Sequence, residues 1–180
     1  MKKPASSPET HSIVLVEDHT LMREGLAQLV NSQPDLKVVG EAADSSAGLD
    51  LVLAHQPDLA IVDITLPGRN GLELIKDIRA QIPGQSILVI SMHDEALYAE
   101  RVLKAGAKGY VMKSADRDTF LAAIRKVLDG GFYVSEKMSA EIFASYSGGT
   151  QTVKGSVNRL SDREFEVFEL LGQGLGTNDI

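Results

Sequence analysis

Five polar side chains in this chain each follow a short apolar run. Glu17 and Asp18 follow the first run, Asp63 the third, Ser91 the fourth and Lys113 the fifth. In an open sheet of parallel strands the carboxyl ends lie at one edge, so we expect these groups to converge. Three crowded carboxylates raise one another's pKa, and a divalent cation relieves that repulsion. Oxygen ligands suit Mg²⁺, and such a site could stabilise a phosphoryl group in transit, with Asp63 as nucleophile.

The elements that must position these groups alternate between strands and helices. The apolar runs are nearly all aliphatic, as in strands covered on both faces, and we predict strands at Ile13–Val16, Val38–Gly40, Leu59–Val62, Ile87–Ile90 and Tyr110–Met112. Apolar stripes of helical spacing predict helices near 20–31, 45–55, 71–80, 94–105 and 116–129. Right-handed crossovers make this (βα)5 pattern a doubly wound parallel α/β domain.

The pattern changes after Gly131. A helix is predicted over 135–146, followed by a linker rich in Gly, Ser and Thr over 147–156. A second helix is predicted over 160–171, where Ser161 and Glu164 form a capping box. The predicted domains are a disordered tail (1–11), a globular domain (12–131), a linker with a helix (132–156) and the start of another domain (157–180).

Composition excludes several classes of protein. The 180 residues include no Cys, which excludes disulfide frameworks and Cys-based metal sites. No apolar run approaches the length of a transmembrane helix, so we expect no membrane span. The tail lacks the apolar core of a signal peptide and predicts a cytoplasmic protein. The net charge is −7, and residues 132–180 carry four basic and seven acidic side chains, which argues against nucleic-acid binding by this chain as written.

In these motifs the sequence resembles the receiver domain of two-component response regulators. The matching segments, between about Ser12 and Gly131, are Val16-Glu17-Asp18-His19, Val62-Asp63-Ile64-Thr65-Leu66-Pro67-Gly68, Ser91-Met92 and Gly109-Tyr110-Val111-Met112-Lys113. The resemblance implies a flavodoxin-like, CheY-like fold. It also implies that a sensor histidine kinase is a partner, that Mg²⁺ is a cofactor and that the chain forms a homodimer on phosphorylation.

The same resemblance implies a role for each site residue. Asp63 would be the phosphoacceptor, and Lys113 and Ser91 would contact the phosphoryl group. The metal ligands would be Glu17 (through water), Asp18, Asp63 and the backbone carbonyl of Thr65. Ser91 and Tyr110 would form the switch; the alternative for Tyr110 is a half-buried tyrosine of the sheet without such a role.

Residues 160–180 resemble the start of a LuxR-type helix-turn-helix domain, which makes the whole chain similar to NarL/FixJ regulators. Thr177 would cap the next helix, but the sequence ends at Ile180 before a recognition helix. We therefore interpret the chain as a piece of a longer protein. DNA binding is expected of the intact protein and not of this fragment.

Three other interpretations compete with a phosphorylated receiver. A phosphatase of the haloacid-dehalogenase type would need a second acid two residues after Asp63, where Thr65 stands. A flavodoxin-like nucleotide or flavin module would need a phosphate loop after the first strand, where the acidic Glu17-Asp18 would repel phosphate. The interpretation as a receiver that acts only through protein contacts stays open.

Two surfaces and one helix also have alternative interpretations. The surfaces 97–109 and 116–129 are either solvated or a dimer surface. Helix 135–146 is either a dimer seam or docked on its own domain.

Overall fold

The computed structural model describes residues 10–67, 69–146 and 160–172. Within these ranges five strands alternate with five helices, and two further helices follow. The strands are β1 (His11–Val16), β2 (Leu36–Ala42), β3 (Leu59–Asp63), β4 (Ile87–Ser91) and β5 (Gly109–Met112). The helices are α1 (Thr20–Asn31), α2 (Ser45–His55), α3 (Gly71–Gln81), α4 (Glu95–Ala105), α5 (Arg117–Leu128), α6 (Glu136–Tyr146) and α7 (Asp162–Gly172).

The strands form one parallel sheet in the order β2-β1-β3-β4-β5. Strand order reverses between β1 and β3, which is the switch point where flavodoxin-like folds bind ligands. Every residue of β3 and β4 is buried. This explains why both strands are apolar up to their last residues, Asp63 and Ser91, because helices cover both faces of the sheet. The predicted (βα)5 doubly wound fold is confirmed.

Helices pack on both faces of the sheet. Apolar side chains of α1 and α5 pack with alternate residues of the strands in a single buried cluster, which includes Leu26, Val30, Phe120, Ile124, Ile13 and Leu88. On the other face α2 contacts α3, and α3 contacts α4. A Cβ on Gly48 of α2 would lie 2.8 Å from the Val16 side chain, so α2 approaches β1 more closely than a larger residue would permit. The helices thus hold the strand ends in fixed register.

The structure moves several predicted boundaries. β1 begins at His11, within the segment predicted as a tail, because the N–H and hydroxyl of Ser12 bond Asp58 at 2.7 and 2.8 Å. β2 extends to Leu36 and Ala42, beyond the predicted Val38–Gly40. This strand is at the edge of the sheet, and its exposed Lys37 and Glu41 concealed the ends from an apolar pattern. β3, β4 and β5 each differ from prediction by one residue at one end.

The two helices after the sheet lie at the predicted places. Met138 on the predicted stripe of α6 is buried. The capping box at the start of α7 is present: the Ser161 hydroxyl accepts the Glu164 N–H at 3.4 Å, and Glu164 accepts the Ser161 N–H at 2.8 Å. Residues 1–9 of the predicted tail, the linker at 147–156 and the predicted cap at Thr177 lie outside the described residues. Within the ranges that are described, none of the helices has the length and apolar character needed to span a membrane.

Candidate functional site

The end of β1 delivers two carboxylates to the carboxyl edge of the sheet. The Glu17 N–H donates to the carbonyl of Ala42, the last residue of β2, at 3.0 Å. Glu17 is fully buried, whereas the side chain of Asp18 is 30% exposed. The chain then turns into α1 through His19, whose Nδ1 lies 2.8 Å from Oδ1 of Asp18. One carboxylate therefore lies inside the site and the other lies at its mouth.

Asp63, the last residue of β3, is buried beside the β1 carboxylates. The loop that follows is held down by Gly71, whose N–H donates to the Ile64 carbonyl at 2.8 Å. A Cβ at position 71 would lie 2.1 Å from the Asp63 carbonyl oxygen, so only glycine permits this approach. Asn70 caps α3 by accepting the Glu73 N–H at 3.0 Å. The start of α3 thus fixes the backbone that carries Asp63.

Lys113 follows β5 and reaches across the sheet edge to both buried carboxylates. Its Nζ lies 2.9 Å from Oδ2 of Asp63 and 2.7 Å from Oε2 of Glu17. Its side chain is only 5% exposed. The Lys113 N–H donates to the Ser91 carbonyl at 2.7 Å, which ties this residue to the end of β4. Glu17, Asp63 and Lys113 were predicted to converge, and the structure brings them together.

The electrostatic balance of this cluster is uneven. Burial raises the pKa of Asp63, and the Glu17 charge adds to the rise, although the hydrogen bond from Lys113 opposes it. Burial would lower the pKa of Lys113, but hydrogen bonds to Glu17 and Asp63 outweigh that effect and raise it. The causes differ: burial dominates at Asp63, whereas the two carboxylates that share the single ammonium group dominate at Lys113. The cation is stabilised, and Asp63 is left short of positive charge.

The residues present fit a divalent cation. Oδ1 of Asp63 is buried and has no hydrogen-bond partner among the described residues. Ligand atoms of Glu17, Asp18, His19 and Asp63 all lie within 4.8 Å of one another. Three carboxylates against one ammonium leave two negative charges when all are ionised, which one divalent ion would balance. The oxygen-rich donor set suits Mg²⁺ better than a softer metal.

Ser91 and Tyr110 lie on the other side of the site, on β4 and β5. Ser91 is fully buried, and its hydroxyl accepts the His93 N–H at 3.1 Å instead of bonding Asp63. Tyr110 is fully buried as well, and its hydroxyl donates to the His93 carbonyl at 2.7 Å. Burial raises the pKa of Tyr110, so its hydroxyl stays protonated. The half-buried position considered for Tyr110 is therefore wrong, although burial alone does not assign it a role.

Thr65 lies on the loop after Asp63 and is exposed. Its hydroxyl is 3.0 Å from Nε2 of His93, so the loops after β3 and β4 are bridged. The His93 ring also stacks against Tyr98 of α4, with the ring centroids 4.6 Å apart. Sequence reasoning placed no function on His93. The only available signal was its position two residues after Ser91, at the mouth of the predicted site.

Two more residues at the site were given no role from the sequence, although His19 stands in one of the matching motifs. His19 lies against both β1 carboxylates, at 2.8 Å from Asp18 and 3.3 Å from Glu17. Arg23, one turn into α1, donates to the Glu17 carbonyl at 2.6 Å. In the sequence, Arg23 looks like any solvated helix residue. Its side chain contacts the backbone after β1, and such a contact produces no periodic pattern in the sequence.

A parallel sheet in this order, with carboxylates and a lysine at its carboxyl edge, is the architecture of the flavodoxin-like receivers. Residues 13–125 match the model of the response regulator receiver domain. The chain belongs to this family, and the resemblance found from its motifs is confirmed.

Curated relatives extend the similarity beyond that domain. The chain is 35% identical to the oxygen regulatory protein NreC of Staphylococcus epidermidis, over 93% of this chain and 80% of that protein. It is 34% identical to the nitrate/nitrite response regulator NarL of Escherichia coli K12, over 94% of this chain and 79% of NarL. The chain is thus a two-component response regulator related to NreC and NarL.

Solved structures agree with this assignment. A LuxR-family two-component response regulator from Aurantimonas sp. SI85-9A1 matches with a TM-score of 0.72 and 36% identity, over 77% of this chain and 99% of that one. The receiver domain of NarL from Mycobacterium tuberculosis matches with a TM-score of 0.65 and 34% identity, over 68% and 99% respectively.

Proposed function

We propose that this response regulator accepts a phosphoryl group on Asp63 from a phosphohistidine of a sensor kinase, with Mg²⁺ as cofactor. The P–N bond of the phosphohistidine breaks and an O–P bond forms to a carboxylate oxygen of Asp63. The electron pair stays on the imidazole, which takes up a proton. The observation that carries the proposal is the buried Asp63 carboxylate, which shares one ammonium with Glu17 and has one oxygen with no hydrogen-bond partner in the described part of the chain.

The chain's own residues divide the work of the transfer. Glu17, Asp18, Asp63 and the Thr65 carbonyl would hold Mg²⁺, which would supply charge neutralisation at the acceptor. Lys113 already bonds Asp63 at 2.9 Å, so it would hold a phosphoryl oxygen with little movement. Ser91 would exchange its present bond with the His93 N–H for one with a phosphoryl oxygen.

The response would travel through the same contacts. When the Ser91 hydroxyl leaves the His93 N–H, the loop that carries His93 loses one of its ties. The Tyr110 hydroxyl donates to the His93 carbonyl of that loop at 2.7 Å. The position of the Tyr110 side chain would therefore change with the loop. A ligand shifts such an equilibrium only through its different affinities for the two states. We infer that this change on the β4–β5 side of the site promotes a homodimer or frees the C-terminal segment.

The remaining domain assignments are part of the same proposal. Residues 12–131 form the receiver, 132–156 a linker that contains α6, and 157–180 the start of a LuxR-type helix-turn-helix domain. The capping box at Ser161 and Glu164 supports a helix start at this place. In the intact protein, two such domains would bind two DNA half-sites and control transcription.

Direct phosphorylation tests the proposal. The protein is incubated with Mg²⁺ and acetyl phosphate, and its intact mass is measured. We expect a mass increase of one phosphoryl group that needs Mg²⁺ and is absent in Asp63→Asn. Asp50→Asn, an exposed aspartate on α2, is the matched control and should be labelled like the wild type. Labelling that persists in Asp63→Asn would show that the acceptor lies elsewhere.

A further inference from the structure

The backbone at the end of β1 has a side-chain partner that the proposed chemistry does not use. Nη1 of Arg23 donates to the Glu17 carbonyl at 2.6 Å and lies 3.4 Å from the Asp18 carbonyl. These carbonyls belong to two of the proposed metal ligands. Arg23 is 17% exposed, and its Nε lies 3.8 Å from the Glu41 carboxylate on β2. Its guanidinium therefore lies between the helix, the turn and the edge strand.

We infer that Arg23 is a positioning residue for the metal site and fixes the direction of the Glu17 and Asp18 carboxylates through their backbone. This inference rests on the proposed function and adds a residue to it. A hydrogen bond to a carbonyl restrains the orientation of its planar peptide group. The orientations of these peptide groups in turn restrain the directions in which the Glu17 and Asp18 side chains leave the backbone. The Glu17 N–H is held from the other side by Ala42. The turn is thus fixed at both faces.

The type of residue matters for this role. A guanidinium presents several donors in a rigid fork, and a charge-assisted bond is about twice as strong as a neutral one. Lysine would keep the charge at this position but would lose the fork. A helix residue that only covered the sheet would need neither property.

A purely electrostatic role predicts the opposite outcome. Arg23 adds a positive charge next to a site proposed for a cation, so its charge alone would weaken Mg²⁺ binding. Arg23→Met, which loses the charge, would then bind Mg²⁺ more tightly. Arg23→Lys, which keeps the charge, would have the Mg²⁺ affinity of the wild type. If positioning dominates, binding weakens in both variants. The two explanations therefore differ in the sign of the effect.

The experiment measures Mg²⁺ affinity by calorimetric titration and by the Mg²⁺-dependent rise in Tm. Arg23→Met and Arg23→Lys should each bind Mg²⁺ roughly tenfold more weakly than the wild type, as when an outer partner of a metal ligand is lost. The control Arg125→Met breaks a two-pronged contact with Asp35, at 2.9 and 3.0 Å. Asp35 precedes β2 at the opposite edge of the sheet, so we expect a lower Tm with unchanged Mg²⁺ affinity.

The outcomes separate this inference from the proposed function. Unchanged affinity in both variants, or tighter binding in Arg23→Met with an unaltered Arg23→Lys, overturns the positioning role and leaves the acceptor chemistry in place. No Mg²⁺ binding by the wild type would overturn the proposed function itself. If Arg23→Met does not give a cooperative melt, Arg23→Lys decides alone. As a further readout, phosphorylation by acetyl phosphate should return to the wild-type rate at saturating Mg²⁺ in Arg23→Lys.

Discussion

The two sides of the candidate site are held together by different physics. On the β1–β3 side, Glu17 and Asp63 share one ammonium group, that of Lys113, and an Asp63 oxygen accepts no hydrogen bond from any residue that the structure describes. On the β4–β5 side, the bonds from the His93 N–H to Ser91 and from Tyr110 to the His93 carbonyl join neutral groups. The first side has an excess of negative charge that a cation or a proton can relieve. On the second side these polar groups are hydrogen-bonded to one another. That side can change only by exchanging one hydrogen bond for another of similar strength.

Hydrogen bonds continue from the β4–β5 side past the site toward α6. The segment after α5 lies along β5, where Tyr133 donates to the Lys108 carbonyl and accepts the Tyr110 N–H, each at 2.9 Å. Two residues later, the Ser135 N–H donates to Glu95 at the start of α4, at 2.8 Å. The Ser135 hydroxyl then accepts the Met138 N–H, at 3.1 Å, in the first turn of α6. The contrast therefore predicts pH- and cation-dependent effects on one side of the molecule and small, local effects on the other.

The largest effect should come from the ammonium group that the two carboxylates share. Lys113→Met leaves Glu17 and Asp63 buried without a counter-charge, which should lower the free energy of unfolding by about 3 kcal/mol at neutral pH. The loss should shrink as the pH falls, because burial raises the pKa of Asp63 and its protonation removes one uncompensated charge. Urea unfolding at several pH values measures it. Lys104→Met, whose ion pair with Glu100 is exposed, should change little; an equal loss in both variants would contradict the charge imbalance.

Substitution of Asp63, the proposed acceptor, should raise stability instead of lowering it. The pKa of Asp63 is raised in the folded protein, so the native state binds its proton more tightly than the unfolded chain does. Stability therefore falls as the pH rises through that raised pKa. Asp63→Asn removes this loss and leaves Lys113 paired with Glu17, so its Tm should exceed that of the wild type by a few degrees at neutral pH.

The difference in Tm between Asp63→Asn and the wild type should close below the ordinary pKa range of a carboxyl group, where Asp63 is protonated in both states. Thermal melts across pH, with the exposed Asp50→Asn as control, test this. A lower Tm for Asp63→Asn at neutral pH would mean that Lys113 more than compensates Asp63.

The neutral side should show a smaller effect without this pH dependence. Tyr110→Phe removes the donor to the His93 carbonyl and should lower the free energy of unfolding by about 1 kcal/mol. Because burial raises the pKa of Tyr110, the loss should stay constant from acidic to neutral pH. Urea unfolding of Tyr110→Phe beside Tyr133→Phe, a matched aromatic change on the adjoining segment, measures it. A loss that varies with pH like that of Lys113→Met would remove the distinction between the two sides.

The same contrast explains what the sequence could predict. Glu17, Asp63 and Lys113 follow apolar runs, and the topology of a parallel sheet alone brings such residues to one edge. Arg23 and His93 act through single side chains that reach another element, and no periodic signal marks such contacts. The segment at Tyr133 escaped prediction for a related reason: it bonds β5 through its backbone, and every residue except proline has both the N–H and the carbonyl that such bonds use.

The smallest predicted effect is confined to the start of α6. Glu95→Ala removes the acceptor of the Ser135 N–H, and that amide should exchange with solvent roughly tenfold faster, as expected for one bond to a charged group. Hydrogen exchange followed by NMR resolves it. Glu100→Ala, on the same helix, should leave that amide unchanged. The Tyr110 N–H is held separately by the Tyr133 carbonyl, so its protection should persist. Faster exchange at both amides would mean that the segment opens as one unit, and Glu95 would then link α4 to the whole path from β5 to α6.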